Sequence, residues 1–158
     1  VNQYTEHVLD LMDELDTVLV VDSESTCSMG ACVEGRGGIS WAQQWLKDGP
    51  VSGFVFLSHD PCRGGLPYLV ALHELGHIAA YQHSDGRWRS TRRWRTNESS
   101  EAHAWMWALE RALVQPTAED WRAIATSLRT YGPVGPDKPR VYNRFLREAE
   151  RNACTPST

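Results

Sequence analysis

His73, Glu74 and His77 lie in the stretch ALHELGHIAAYQHSD, residues 71–85. Two residues four apart on a helix differ by about 40° in azimuth, so they share a face. Two imidazoles placed this way bind one metal ion from the same side. The residue after the first histidine lies close enough to that face to reach a water on the metal. The chemistry this predicts is metal-assisted hydrolysis, with His73 and His77 as ligands and Glu74 as general base. The flanks LVAL and IAA are uncharged and apolar, so the helix is expected to be buried. Polar side chains there are costly unless hydrogen-bonded or metal-bound. The competing reading is a pair of core histidines satisfied by hydrogen bonds.

The segment LVALHELGHIA, residues 69–79, resembles the active-site helix of the zincin metallopeptidases. The resemblance is local, and says little about the rest of the chain. It implies Zn2+ as cofactor, a peptide or protein as substrate, and Glu74 polarising the catalytic water. It also implies an edge strand ahead of the helix that lines the substrate cleft, for which GFVFLS at 53–58 is the candidate.

Two arrangements close such a site. Metzincins use H-E-x-x-H-x-x-G-x-x-H, and His83 falls at the last position, but Ala80 replaces the glycine. That glycine takes a positive φ, ends the helix and swings the last histidine to the metal. Alanine favours continuing the helix instead, which leaves His83 about 240° round from His77. Gluzincins take a glutamate from the next helix. NESSEAHAWMWAL, residues 97–109, supplies Glu101 and Glu98. Glu101 is the expected third ligand, with Glu98 and His83 as alternatives. Glu101-Ala-His-Ala-Trp105 resembles the family's E-x-x-A-D, but Trp105 stands where a second carboxylate would orient a histidine. Oxyanion donors are expected among Tyr131, His83, His103 and Tyr81. The small size resembles compact intracellular and phage-type zincins such as the ImmA/IrrE group.

Between the two site helices lies GRWRSTRRWRT, residues 86–96. Arg87, Arg89, Arg92, Arg93 and Arg95 form a candidate dock for acidic substrates. A non-catalytic module that binds nucleic acid or protein through this loop is the alternative function. Ordinary ion pairing with an acidic chain is the plain one.

The elements that position these residues follow from periodicity. Val8, Leu11, Met12 and Leu15 mark an amphipathic helix over 3–15, and TVLVV at 17–21 a strand. Residues 23–38 read as loop with a short strand near 32–34, and 39–46 fits either strand or helix. Helices are expected over 66–82 and 98–114, from a Thr117/Asp120 capping box to 131, and over 140–152. GPVGPDKP at 132–139 reads as a linker. The expected class is α+β and zincin-like: a small early sheet, an HExxH helix and a helical C-terminal half, all in one metallopeptidase domain over 1–158.

Net charge is −4 and apolar content 41%, so nothing in the global charge favours nucleic acid or an anionic membrane. No apolar run approaches a membrane span, and the acidic N-terminal stretch is no signal peptide, so a cytoplasmic location is expected. Cys27, Cys32, Cys62 and Cys154 are expected as free thiols.

Overall fold

The structure is a computed structural model. It describes residues 2–21, 32–33, 36–44, 51–57, 63–83 and 98–155, without the side chains of 19–21, 32–33, 36–44, 51, 52, 54, 56 and 81–83. Among the described residues the elements are α1 (Gln3–Glu14), β1 (Thr17–Val21), β2 (Cys32–Val33), β3 (Arg36–Gln44), β4 (Val51–Leu57), α2 (Gly65–His83), α3 (Glu98–Arg111), α4 (Ala118–Arg129) and α5 (Arg140–Ala153).

Helix α1 starts where Asn2 Oδ1 accepts the backbone N–H groups of Tyr4 and Thr5, at 3.0 and 3.1 Å, a standard use of asparagine as N-cap. It buries Val8, Leu11 and Met12. Asp16, at φ 46°, turns the chain into β1. The four strands lie in the order β1-β4-β3-β2. β1 runs parallel to β4, from Thr17 opposite Gly53 to Val21 opposite Leu57. β3 runs antiparallel to β4, from Gly38 opposite Leu57 to Gln44 opposite Val51. The ambiguous 39–46 stretch is therefore mostly strand.

Two expectations are corrected here. First, β4, the strand expected to edge the cleft, has a strand on both sides. Its backbone groups face β1 and β3, so it cannot pair with an extended substrate. Second, the α+β, zincin-like class built on an early sheet gives way to a mostly helical protein. Five helices account for most of the described residues, and the four strands are a subordinate layer. Among the strand residues whose side chains are described, Val55 and Leu57 lie in the buried apolar cluster, and α2 contributes Tyr68, Leu69, Ala71, Leu72, Leu75, Ile78 and Ala79. A helix apolar all round needs cover on every side. The strands cover one side of α2, and α1, α3 and α4 cover the others.

The helices are also tied by polar bonds. The fully buried Tyr68 hydroxyl accepts the N–H of Leu113 at 3.0 Å and lies 2.7 Å from His7 Nδ1. This joins α1, α2 and the end of α3. The capping box that opens α4 is complete: Thr117 Oγ1 accepts the Asp120 N–H at 3.2 Å, and Asp120 Oδ2 accepts the Thr117 N–H at 2.8 Å. Segment 132–139 is not a loose linker. The Asn143 side chain brackets Gly135, accepting its N–H at 3.1 Å and donating to its carbonyl at 2.7 Å. The Tyr142 hydroxyl lies 2.7 Å from the Leu128 carbonyl and 2.6 Å from that of Gly132. No helix among the described residues is long and apolar enough to cross a membrane.

Candidate metal centre

Helix α2 carries His73 and His77 on one face, and α3 brings Glu101 against them. His73 Nε2 lies 3.2 Å from His77 Nε2. Glu101 Oε2 lies 3.3 Å from His73 Nε2, and Oε1 lies 3.4 Å from His77 Nε2. These three residues form a group that could hold a metal ion. His73 and Glu101 are buried, and His77 is partly exposed, which leaves the group open on one side.

Hydrogen bonds alone satisfy this triangle poorly. Bonding both histidines to the carboxylate requires a proton on each Nε2, and those protons then crowd a 3.2 Å gap between the nitrogens. A tautomer that relieves the crowding forfeits one of the carboxylate bonds. A shared cation satisfies all three atoms at once. Ligand atoms about 2.0–2.1 Å from a tetrahedral ion are about 3.3–3.4 Å apart, close to the spacings found.

The approach of α3 to α2 rests on Gly76, inside the HELGH sequence. A Cβ built there would stand 2.7 Å from the Ala104 carbonyl oxygen and 3.0 Å from its Cα. Glycine in mid-helix costs about 1 kcal/mol relative to alanine, yet here it lets two backbones touch. The buried Ala102, Ala104 and Ala108 keep that side of α3 small. The contact lies within one turn of His73, His77 and Glu101, so it sets their spacing. Gly76→Ala is accordingly expected to destabilise the fold by about 1–3 kcal/mol through overpacking, despite alanine's better helix propensity. Urea denaturation measures this, and a more stable variant would disprove the close approach.

The histidines are oriented differently. His77 Nδ1 lies 3.3 Å from Ser100 Oγ, which fixes the ring from behind. His73 Nδ1 is buried and has no hydrogen-bond partner among the described residues. Trp105 stacks on its ring instead, with centroids 4.2 Å apart and planes 27° apart. Tryptophan thus presents a stacking surface to His73 at the position where the sequence comparison expected a carboxylate. Ser100 was missed by sequence reasoning. Its signal is its place directly before Glu101, where the same helical turn that delivers the carboxylate delivers a hydroxyl.

Electrostatics reflect the packing. Burial raises the Glu101 pKa, but hydrogen bonds and charge from His73 and His77 outweigh this and hold it far below the usual carboxylate range. Burial lowers the His77 pKa, while the Glu101 hydrogen bond and charge, with Glu74 beyond, leave it raised overall. In the metal-free protein the His77 contribution to stability is full below its unfolded pKa of about 6.5 and is lost as pH rises through the raised folded value. The Glu101 contribution is present above its unfolded pKa and lost only in strong acid. A metal must displace the His77 proton. Metal affinity is therefore expected to fall by up to about tenfold per pH unit below the raised His77 pKa. Chelator competition between pH 5 and 8 measures that slope, and a flat profile would remove His77 from the ligand set.

Glu74 is buried, and its charge acts on both His77 and Tyr131, so it lies at the site. Tyr131 follows α4. Its pKa is raised by burial, by the charge and hydrogen bond of Glu101, and by Glu74. Of the two proposed oxyanion donors with described side chains, Tyr131 and His103, Tyr131 is the one brought to Glu101. His103 is exposed and lies 3.5 Å from Ser99 Oγ. Glu98, an alternative ligand, meets Lys138 Nζ at 2.5 Å, and the same Nζ donates to the Tyr131 carbonyl at 2.5 Å. Helix α2 runs through Ala80 to His83 without a positive-φ residue after Gly65, so the turn needed to bring in His83 is absent. The side chains of His83 and Tyr81 lie outside the described residues, as do Arg87, Arg89, Arg92, Arg93 and Arg95. Cys154 is free and exposed, and the other three cysteine side chains are outside the description.

No protein family model matches this sequence, and neither a curated protein nor a solved structure matches it.

Proposed function

We propose that the protein is a zinc-dependent peptidase, with His73, His77 and Glu101 as ligands and Glu74 as general base. The observation that carries this reading is the closed triangle of two imidazole nitrogens and a carboxylate at 3.2–3.4 Å. Two nitrogens and one oxygen in tetrahedral spacing suit zinc, and three protein ligands leave one position for chemistry. The resemblance of LVALHELGHIA to the zincin helix supports peptide bonds as the substrate class, as does an intact Glu74. A purely structural zinc site has no use for a buried base beside it.

Zinc in this site would supply Lewis acidity, polarising a carbonyl and acidifying water. The chain supplies the rest. Glu74 takes the proton from the attacking water and delivers it to the leaving nitrogen. Tyr131, kept protonated by its buried and anionic surroundings, offers a neutral O–H to the developing oxyanion. Ser100 and Trp105 hold the two imidazoles in place. The half-open side at His77 admits substrate.

The test is metal analysis combined with a peptide-library cleavage assay. About one zinc per chain is expected. Chelation should abolish cleavage, and stoichiometric zinc should restore it. A fully metal-free preparation that cleaves at the same rate would refute the proposal.

A further inference from the structure

Helix α5 turns Tyr142, Phe145, Leu146 and Ala149 into the core. Its opposite face carries Arg140, Arg144, Arg147 and Arg151, all exposed. The spacings of four, three and four residues keep them within one narrow stripe. None of the four forms an ion pair among the described residues. Glu150, which lines the same groove as the four arginines, is paired with Arg129 of α4 at 2.7 Å. Like charges at these spacings weaken a helix, and the chain as a whole is acidic, at −4. An arginine row without ion pairs among the described residues, on such a chain, is a place for an external anion.

We infer that this face of α5 binds the phosphate backbone of nucleic acid without reading its sequence. Three features select that partner. The stripe is all arginine, whose planar fork matches phosphate bidentately. It extends over about 16 Å of helix, the axial length of about five phosphates on one strand of a duplex. The exposed large apolar residues of the described chain are Leu9, Val18 and Leu113, and none lies on α4 or α5. A protein partner normally needs apolar or aromatic anchors, whereas phosphate contacts need none. The inference is independent of the metal site.

The experiment is fluorescence anisotropy of the full chain with a labelled 20-base-pair duplex of arbitrary sequence, titrated at 50–200 mM NaCl. Four engaged arginines give a log–log salt slope of about −3.6, so a fourfold rise in salt should weaken binding about 150-fold. Changing all four to glutamine should remove that slope, and changing all four to lysine should retain most of it. The substituted side chains point to solvent, and circular dichroism with unchanged metal binding verifies the fold. The inference is overturned by any of three results: no duplex binding at 50 mM salt, glutamine variants with wild-type affinity and slope, or a polyglutamate peptide that binds this face and is not displaced by duplex.

Discussion

Glu101→Ala should lower zinc affinity by about 10³-fold while leaving the protein folded. The carboxylate is one of three proposed ligands, and structural zinc sites release about 10–16 kcal/mol in all. Losing roughly a third to a quarter of that, about 4 kcal/mol, corresponds to a thousandfold in affinity. Fold loss is not expected to dominate, because the Ala102, Trp105 and Ala108 packing of α3 is untouched. In the metal-free state the variant should also lose the stabilisation that Glu101 gives to protonated His77, so its midpoint in denaturant should drop most near pH 5–6. Competition with a chromogenic chelator measures the first effect. Glu101→His is the informative partner variant, since it returns a nitrogen donor to the same helical position and should recover part of the affinity. If Glu101→Ala binds zinc as wild type does, Glu101 is not a ligand and another group completes the site.

Glu74→Gln should leave zinc binding within a few-fold of wild type and reduce peptide cleavage by about 10²–10⁴-fold, the range expected for a lost general base. The substitution preserves shape in a buried position, so stability should change little. Glu101→Ala loses metal and activity together, whereas Glu74→Gln loses activity alone. Zinc content by mass spectrometry and single-turnover cleavage distinguish them. A Glu74→Gln protein that cleaves at the wild-type rate would move the base elsewhere, with Tyr131 too firmly protonated to serve.

Much of the centre was legible before any coordinates. HELGH places two imidazoles on one helical face because four residues are little more than one turn. Ala80 argued against a glycine-like turn, and α2 does run on to His83. The capping box at Thr117 and Asp120 lies where local chemistry put it. Other features were hidden because they depend on partners distant in the chain. Glu98 and Glu101 both open α3, and nothing local assigns one to Lys138 and the other to the histidines. Trp105 signalled only a missing carboxylate, and its stacking on His73 needs the relative height of two helices.

The division follows from the range of the forces involved. Helix periodicity, capping and histidine spacing are set within a few residues, so the chain alone determined the shared face of the two histidines, the neighbouring glutamate and the start of α4. The weight of the sheet, the interior position of β4 and the contact of Gly76 with Ala104 were decided by packing. Close packing depends on which surfaces meet, and that is a property of the assembled core. The third member of the candidate centre belongs to both levels. The sequence placed Glu101 on the second helix, and the glycine contact between α2 and α3 brought it within 3.4 Å of the histidines.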